Sequence, residues 1–547
     1  MFVKPHPQFG RSSRASPVGK QEQTTIAYTM PSPIAGVNLF DALSSMSPQD
    51  TIYSFNMIPS EYGLRTRRGY QTHVATLGGA TSPVRTLIPF VDVDGTSHLF
   101  ATDVNGIYDV TTTADSPTID TSWGTQSGSA GHGVSTVYNN DNGDFFIQYA
   151  DEVNGLYEYD AGAGTWAQAT DITGVAETSL VFVTEHKERL WYVQSNSMDA
   201  WYLALGAKGG SATKFSLGNK FPHGGHLVGI YKWSVDGGDG VDDMLVFVSS
   251  AGDVAIYQGT DPSAAATWQA LGTWFIGQIP NSRNIAENIG GELHLLSVYG
   301  IISVQDLVGG VDVGKATGQN TIARKIARAI RNDMPGKKDD EQWDIVPSMA
   351  EGIIMIVRPY DTAATPLQYI FNFTTAGWGY WRDVPINCAT EWNGALYFGD
   401  DVGNIHIMTN SLDGVARAGT GGDPIEFSFL TAFSDLGAPG AAKRAHYARP
   451  RFFSENGAAP TYNTKFLYDY DINEPNISLE TAGQVGDVWD TGLWDLAIWG
   501  GDSIAASKLI GGSGMGINLA MAMKGEANDR ITFLDADIYA EVGGFML

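Results

Sequence analysis

Between residues 84 and 409 the sequence repeats one motif, and this repeat constrains the fold more than any other feature. In each copy an apolar run ends in an aromatic residue, a turn rich in Gly, Asp or Asn follows, and a Trp often opens the next run. Tyr159 precedes Trp166 by seven residues, and Phe371 precedes Trp378 by the same interval. Short strands repeated in this way predict the blades of a β-propeller.

The strand-like runs fall into groups of blade size, and Asn-Gly pairs such as Asn154-Gly155 mark hairpin turns between them. A looser copy of the motif lies within the fourth group, from Val254 to Trp268. The sequence therefore predicts an all-β chain with a propeller of six or seven blades. The candidate blades are 84–115, 134–170, 177–206, 226–272, 282–308, 343–382 and 385–409.

The two flanks of the repeat differ from it and from each other. Residues 1–33 are polar and rich in Ser and Pro, which predicts an extended N-terminal arm. Residues 34–83 are expected to form an N-terminal β region, and 410–547 a C-terminal β domain of sandwich or barrel type. The clearest C-terminal strands are predicted at 494–499 and 531–540.

One segment, 320–334, has helical periodicity and is predicted to be an insertion on the propeller rim, ending at Pro335-Gly336. Its apolar face contains Ile322, Ile326, Ala329, Ile330 and Met334. Its opposite face contains Arg324, Lys325, Arg328 and Arg331. This basic face has two interpretations, a solvated helix surface or an electrostatic contact with an acidic neighbouring subunit.

The charge of the chain limits its possible partners. The 547 residues include 60 Asp and Glu against 33 Lys and Arg, a formal net charge of -27. A protein this acidic does not gather nucleic acid by counterion release, and a wall with this charge would repel a polyanion. Solubility of a large particle explains the same charge equally well.

The sequence contains no convincing catalytic or metal-binding pattern, so it predicts no enzyme, no cofactor and no metal. Nucleophile-elbow, zinc-protease and phosphate-loop motifs are all absent from it. Acidic turns at 139–144 and 236–243 could present oxygens to Ca²⁺, although neither fits the twelve-residue calcium-loop pattern and Asp, Asn and Gly are also ordinary turn residues, so calcium stays an open alternative. The main blade arginines are not expected to converge on one site: Arg85, Arg189, Arg283 and Arg358.

The single cysteine, Cys388, excludes an intrachain disulfide and is expected to be a small core residue. No apolar run approaches the roughly 20 residues that a membrane helix needs. The N-terminus carries basic residues without the apolar segment of a signal peptide.

Six short motifs lie at the start, middle and end of the chain. They are Gly36-Val37-Asn38, Asn56-Met57-Ile58-Pro59, Arg65-Thr66-Arg67-Arg68-Gly69-Tyr70, Arg189-Leu190-Trp191-Tyr192-Val193, Asp199-Ala200-Trp201-Tyr202-Leu203 and Ile538-Tyr539-Ala540-Glu541-Val542-Gly543-Gly544. These motifs resemble structural proteins of short-tailed bacteriophages. The sequence is similar to the tail nozzle family, also described as tail hub or DNA-stabilising proteins.

The resemblance implies a structural virion protein without enzymatic activity. Such a protein would assemble as a homo-hexameric tube below the portal and its adaptor ring, and would also contact tail fibres or spikes. It would retain the packaged genome and conduct double-stranded DNA during ejection without binding it tightly. The implied location is the virion tail, assembled in the host cytoplasm.

Three arginines within four residues, Arg65, Arg67 and Arg68, stand out in a chain so poor in cations. We expect them to contact an acidic partner, the adaptor ring above the nozzle, and the alternative is a solvated basic hairpin. Charge reversal there is expected to weaken assembly while leaving the isolated fold intact.

Two other classes of function remain open. The first is a carbohydrate-binding or glycan-degrading propeller in a tail apparatus, which would show paired carboxylates in a cleft rather than an open axial channel. The second is a free-standing interaction propeller of kelch type. Aromatic residues that could stack on sugars support the first: Trp191, Trp201, Trp378 and Trp381.

Overall fold

The computed structural model describes residues 24–79, 82–139, 143, 145–236, 241–264, 266–310, 322–360, 365–455, 457–479 and 508–545. Within these residues the chain is all-β, as predicted, with two short α-helices. Both helices are too short and too polar to cross a bilayer. The predicted strand at 494–499, the first 23 residues of the predicted arm and most of the two acidic turns lie outside the described residues.

The first six strands precede the repeat. They are β1 (Thr24–Pro31), β2 (Gly36–Val37), β3 (Asp50–Phe55), β4 (Met57–Ser60), β5 (Gly63–Thr66) and β6 (Gly69–Ala75).

The repeat folds into seven consecutive antiparallel sheets, of which the first four come before either helix. Sheet 1 contains β7 (Thr86–Val91), β8 (Ser97–Thr102), β9 (Gly106–Asp109) and, after a short β10 (Ala114–Asp115), β11 (Ile119–Ser122). Sheet 2 contains β12 (Gly133–Asn139), β13 (Phe145–Asp151), β14 (Gly155–Asp160) and β15 (Thr165–Gln168). After a short β16 (Ile172–Thr173), sheet 3 contains β17 (Leu180–His186), β18 (Arg189–Gln194), β19 (Asp199–Tyr202) and, beyond β20 (Gly210–Ser211), β21 (Thr213–Ser216). Sheet 4 contains β22 (Leu227–Asp236), β23 (Val241–Ser249), β24 (Asp253–Gly259) and β25 (Trp268–Phe275).

The remaining sheets surround the helices. Sheet 5 contains β26 (Ala286–Ile289), β27 (Glu292–Ser297) and β28 (Gly300–Ser303), and is followed by α1 (Val304–Val308) and α2 (Ala327–Lys337). Sheet 6 contains β29 (Asp344–Ser348), β30 (Ile353–Val357), β31 (Leu367–Asn372) and β32 (Trp378–Arg382). Sheet 7 contains β33 (Cys388–Trp392), β34 (Ala395–Gly399) and β35 (Ile405–Asn410). The last strands are β36 (Ile425–Thr431), β37 (Ala441–Ser454), β38 (Thr461–Tyr468), β39 (Ile510–Gly511), β40 (Leu519–Ala527) and β41 (Ile531–Phe545).

The seven-residue spacing in the sequence is the span of a hairpin. Tyr159 lies directly opposite Trp166 on the neighbouring strand, and Phe371 lies opposite Trp378 in the same way. The Trp166 ring also meets Phe100 of sheet 1 edge to face, with ring centroids 5.3 Å apart. Directly opposite residues in a β-ladder pack side by side, so the repeated aromatic pair stabilises the hairpin and, in sheet 2, also joins adjacent sheets.

The seven sheets follow one another around a closed cycle of contacts. The first strand of each sheet contacts the first strand of the next, in the order β7, β12, β17, β22, β26, β29 and β33, and β33 returns to β7. No single sheet in the described residues closes on itself. Sheet 7 gains a further strand from the N-terminal side of the repeat, because β6 pairs antiparallel with β35.

The flanking regions share sheets with one another and with the repeat. In the terminal sheet, β1 pairs with β41, which also pairs with β37 and β5. A nine-stranded sheet continues sheet 6 through β2 and β3 to β36, β40 and β38. Residues 24–31 of the predicted arm are therefore a strand, whose Ile26, Tyr28 and Met30 pack on the core of the terminal region. The regions predicted at 34–83 and 410–547 are likewise joined in common sheets.

The helix predicted at 320–334 is observed from Ala327 to Lys337, and residues 320 and 321 lie outside the described part. Its buried residues include Ile330 and Met334 of the predicted apolar face. The predicted end at Pro335 is wrong, since Pro335 lies inside the helix. The Trp343 indole donates a 2.8 Å hydrogen bond to the Lys337 carbonyl, so a tertiary contact supports a last turn that local sequence disfavours.

Candidate functional site: the hub pocket

Residues from six of the seven sheets meet around one enclosed pocket at the beginning of their first strands. The pocket has a cavity volume of about 20 Å³, room for about one water molecule. Most of its charged residues stand just before a first strand or at its first residue, and Glu152 lies in the turn between β13 and β14. We call this the hub pocket, with charged and titratable residues Arg85, His132, Glu152, Arg283, Glu341 and Asp344.

Arg283 connects three sheets through one guanidinium. Its Nε and Nη2 donate to the Glu152 carboxylate at 2.6 and 2.7 Å, and Glu152 follows β13 of sheet 2. Its Nη1 donates to the Leu227 and Val228 carbonyls at 3.0 and 2.6 Å, at the start of sheet 4. Because the Arg283 side chain is only 10% exposed, this bidentate pair fixes the relative positions of sheets 2, 4 and 5.

Arg85 and His132 form a second contact, between sheets 1 and 2. Nη1 of Arg85 lies 2.7 Å from Nε2 of His132, and a guanidinium can only donate. The imidazole therefore accepts at Nε2 and carries its proton on Nδ1. Burial, followed by the Arg85 charge, lowers the pKa of His132 to about 3. Glu341 lies 3.9 Å from Nε2, but a neutral imidazole makes no ion pair with it.

An open cavity of about 380 Å³ adjoins the hub pocket, and we call it the acidic cavity. Its carboxylates belong to Glu287, Asp344 and Glu391. Burial raises the pKa of Glu287 to about 7, and burial with the nearby Glu287 charge raises the pKa of Asp344 well above its usual range. The Glu391 carboxylate accepts hydrogen bonds from the Ser348 hydroxyl at 2.9 Å and from the Ala350 backbone N–H at 3.1 Å. The described residues contain no cluster of three or more potential ligands arranged to hold a metal ion.

The raised pKa of Glu287 predicts that stability falls as the pH rises from about 4.5 to about 7. Within that window the folded chain keeps a proton that the unfolded chain has released, so folding becomes less favourable with increasing pH. Glu287→Gln is expected to remove this dependence and to raise the free energy of unfolding at pH 8 by about 2–3 kcal/mol. Denaturant titrations at pH 5 and pH 8 measure it, with the exposed Glu188→Gln as control. An unchanged pH dependence in the Glu287→Gln variant would contradict the assignment.

Two of the four blade arginines converge, contrary to the expectation from sequence. Arg85 and Arg283 both line the hub pocket. Arg189 lies over Tyr202, and Arg358 pairs with Asp333 at 2.7 Å. Both hub arginines come just before the first strand of a sheet. This shared position along the chain is the sequence signal that could have predicted their convergence.

The predicted contact tract of three arginines is largely bound within the chain. Arg67 is 1% exposed and forms a bidentate pair with Asp413, so the structure gives it an internal role in place of a partner contact. Arg68 is 39% exposed and donates to Glu351 at 2.7 Å. Arg65 lines an open groove of about 630 Å³, and burial lowers its pKa. The tract is therefore not a solvated hairpin, and only Arg65 and Arg68 remain within reach of a partner.

The four residues of the predicted basic helix face also divide into two that are bound within the chain and two that are exposed. Lys325 donates to the Asp50 carboxylate and to a backbone carbonyl, both at 2.8 Å, which connects the segment before α2 to the N-terminal strands. The Arg324 guanidinium lies 4.2 Å from the centre of the Phe40 ring. Arg328 and Arg331 are exposed, although Arg331 also lies over Tyr299. A contact with an acidic neighbour stays a prediction for these two residues.

Three of the four tryptophans considered as sugar-stacking residues are in the core. Trp191, Trp378 and Trp381 are at most 1% exposed, while Trp201 is half-buried and donates to Gln194. Cys388 is buried at the hub pocket, as expected for a core residue, and burial raises the pKa of its thiol.

No protein-family description and no curated protein sequence matches this chain. Among solved structures it is similar to a protein described as the extracellular domain of a hybrid two-component system from B. thetaiotaomicron, with 12% identity and a TM-score of 0.37 over 62% of this chain and 40% of the other. It is also similar to Raptor from Chaetomium thermophilum, with 10% identity and a TM-score of 0.34 over 63% and 29%. This chain thus spans less than half the length of either protein, and TM-scores this low say nothing about its function.

Proposed function

We propose that the seven sheets form a seven-bladed β-propeller and that the protein is a structural component of a short-tailed phage, the tail nozzle. In this role it forms a homo-hexameric tube that retains the packaged genome and conducts it during ejection. Its partners are further copies, the adaptor or portal ring, and tail fibres or spikes. Two observations support the proposal: the cyclic order of the sheets, and the sequence motifs that resemble the tail nozzle family.

The observation that carries the proposal is how the chain uses its scarce cations. Buried or half-buried bases pair with carboxylates of the same chain, as in Arg67 with Asp413 and Arg283 with Glu152. Each such pair uses one acid and one base, so the excess of acids, 60 less 33, remains. A chain with this excess suits a protein beside which a polyanion must move without adhering.

Electron microscopy tests the assembly. Negative-stain images of the purified chain, or of particles that contain it, are expected to show a six-fold ring with an open axial channel. A particle without such a ring at the tail, or with this protein in another tail component, would overturn the nozzle assignment.

DNA binding tests the conduit role, and we expect the assembled ring to bind duplex DNA weakly or not at all at physiological salt. A lumen that attracted phosphate would hold DNA through many contacts, each of which must break as the genome moves. Repulsion from an acidic wall acts over roughly 8–10 Å at this salt, enough to matter only in a narrow channel. Mobility-shift titrations across salt concentrations measure it. Tight binding with a steep salt dependence would contradict an acidic lumen.

A glycan-degrading propeller remains the second candidate because of the carboxylates in the acidic cavity. Glu287 with its raised pKa beside Asp344 has the form of a general acid in a glycoside hydrolase. Such an enzyme also needs an ionised partner, whereas the pKa values of both groups are raised. Hydrolysis of host surface glycan that is lost in Glu287→Gln would favour this candidate over the nozzle.

A further inference from the structure

The terminal sheet has one face on the core and one face toward solvent. Ala445, Ala448 and Phe452 of β37 face inward, and intervening residues of β37 face outward. On the outer face Tyr447 of β37 lies opposite Tyr539 of β41, which in turn lies opposite Ala27 of β1. We call this the outer face: Thr25, Ala27, Thr29, Tyr447, Arg449 and Tyr539.

The outer face exposes more apolar surface than a solvated sheet requires. Tyr447 is 48% exposed and Leu509 beside it is 51% exposed. Together with Thr25, His446, Arg449 and Tyr539 they line an open groove of about 580 Å³. Aromatic residues grouped around an open groove on one face are typical of an interaction surface.

Among the described residues, strand β1 forms an edge of this sheet and lacks the features that usually protect edges. It pairs with β41 along all eight residues and with no other strand in the described part of the chain. Its sequence, TTIAYTMP, has no charged residue, its register has no bulge, and its proline stands at the last position. Natural edge strands are commonly blocked by lysine, proline or a bulge, so an uncharged regular edge can accept another strand.

The charges around the outer face indicate which partner fits. Three arginines and three acids of β37 and β41 oppose one another, so the local formal charge is zero. Arg451 donates to Asp535 at 2.5 Å and to Asp537 at 2.7 Å. The whole chain carries -27, so two copies repel over most of their surfaces. A neutral face lets a second copy approach without that repulsion. The opposed charged residues are Arg444, Arg449 and Arg451 of β37 with Glu541, Asp537 and Asp535 of β41.

We propose that the β1 edge and the outer face are a contact between two copies of this chain, in which β1 adds a strand to the neighbouring copy. The inference deepens the proposed function, since it assigns a surface to the self-assembly on which that function rests. Main-chain hydrogen bonds along the edge give the contact its alignment, and Tyr447 with Leu509 gives it a dry centre.

The test places a charge at the middle of the edge. Ala27 is exposed and lies on the outer face, so Ala27→Glu adds like charge to the contact without disturbing the core. Val93→Glu is the matched control, because Val93 is 80% exposed in the turn between β7 and β8 of sheet 1. Sedimentation velocity of the full chain over a concentration series gives the self-association constant. We expect Ala27→Glu to weaken association at least tenfold and Val93→Glu to leave it unchanged.

A second variant and a thermal unfolding scan distinguish loss of the contact from loss of the fold. Tyr447→Ser removes the aromatic from the groove and is expected to weaken association in the same direction. Thermal unfolding close to that of the wild type shows that each variant is folded. Rings of wild-type strength in both variants would overturn this contact and leave the nozzle proposal standing. A wild-type chain that stays monomeric at every concentration would overturn the contact, whereas microscopy of particles decides the nozzle separately.

Discussion

Replacing Trp166 or Trp378 by alanine is expected to lower the free energy of unfolding by about 3–5 kcal/mol in each case. Trp166 is 3% exposed and lies between Tyr159 of its own sheet and Phe100 of sheet 1. Trp378 is fully buried against Phe371. Each substitution removes a large apolar side chain and leaves a cavity that rigid sheets cannot fill.

Phenylalanine substitutions separate the packing of each indole from its hydrogen bond. The Trp378 Nε1 donates to the Ile322 carbonyl at 2.8 Å, whereas the Trp166 Nε1 has no partner among the described residues. Trp378→Phe is therefore expected to cost about 1 kcal/mol more than Trp166→Phe, because it leaves a carbonyl without its donor. Denaturant unfolding measures all four variants, with Trp201→Ala on the half-buried Trp201 as the milder control. An unaltered transition in either alanine variant would contradict the packing assigned to that Trp.

The sequence predicts the individual sheets well because their signals are local. The observed sheets at 133–168 and 344–382 fall close to the candidate blades at 134–170 and 343–382. A hairpin places its aromatic and its Trp opposite one another within a few residues, so the spacing survives in the sequence. The pairing of β6 with β35 joins distant parts of the chain and leaves no periodic trace. The same reason explains why the sequence predicts an arm where the structure has β1.

The sequence does not predict the hub pocket, because the order of sheets around the closed cycle decides which residues meet. Arg85 and Arg283 are far apart in sequence, and only the closed cycle brings both to one pocket. The pKa of Glu287 is raised because the folded chain buries its carboxyl group, and the composition of the chain does not predict which carboxyl groups are buried. The basic residues show the same limit, since sequence gives the charge of Arg67 but not the carboxylate that it binds.

Arg67→Ala is expected to lower the free energy of unfolding by about 3–5 kcal/mol, because it leaves the half-buried Asp413 without its cation. The guanidinium also donates to Asn56 Oδ1 at 3.1 Å and to the Arg68 carbonyl at 3.0 Å, so its loss removes two further hydrogen bonds. Asn56 Oδ1 still accepts from the Arg382 backbone N–H at 2.8 Å. Arg68→Ala is the matched control from the same tract. It is expected to cost below about 1 kcal/mol, since Arg68 is 39% exposed and Glu351 keeps its bond to Arg530.

This difference changes how the predicted contact with an acidic adaptor is tested. Reversing Arg67 would place a second carboxylate against Asp413 and unfold the region, so lost assembly would say nothing about a partner. Reversal of Arg68 alone leaves Arg67 in place and removes a cation that a partner can reach. Arg68→Glu also turns a carboxylate toward Glu351, but Arg68 is 39% exposed and Glu351 keeps its bond to Arg530, so the chain is expected to fold. Denaturant unfolding of the isolated chain and incorporation into particles are measured together for both alanine variants and for Arg68→Glu. Equal destabilisation by Arg67→Ala and Arg68→Ala would refute the internal role of Arg67. Normal incorporation of a folded Arg68→Glu chain would remove Arg68 from the adaptor contact.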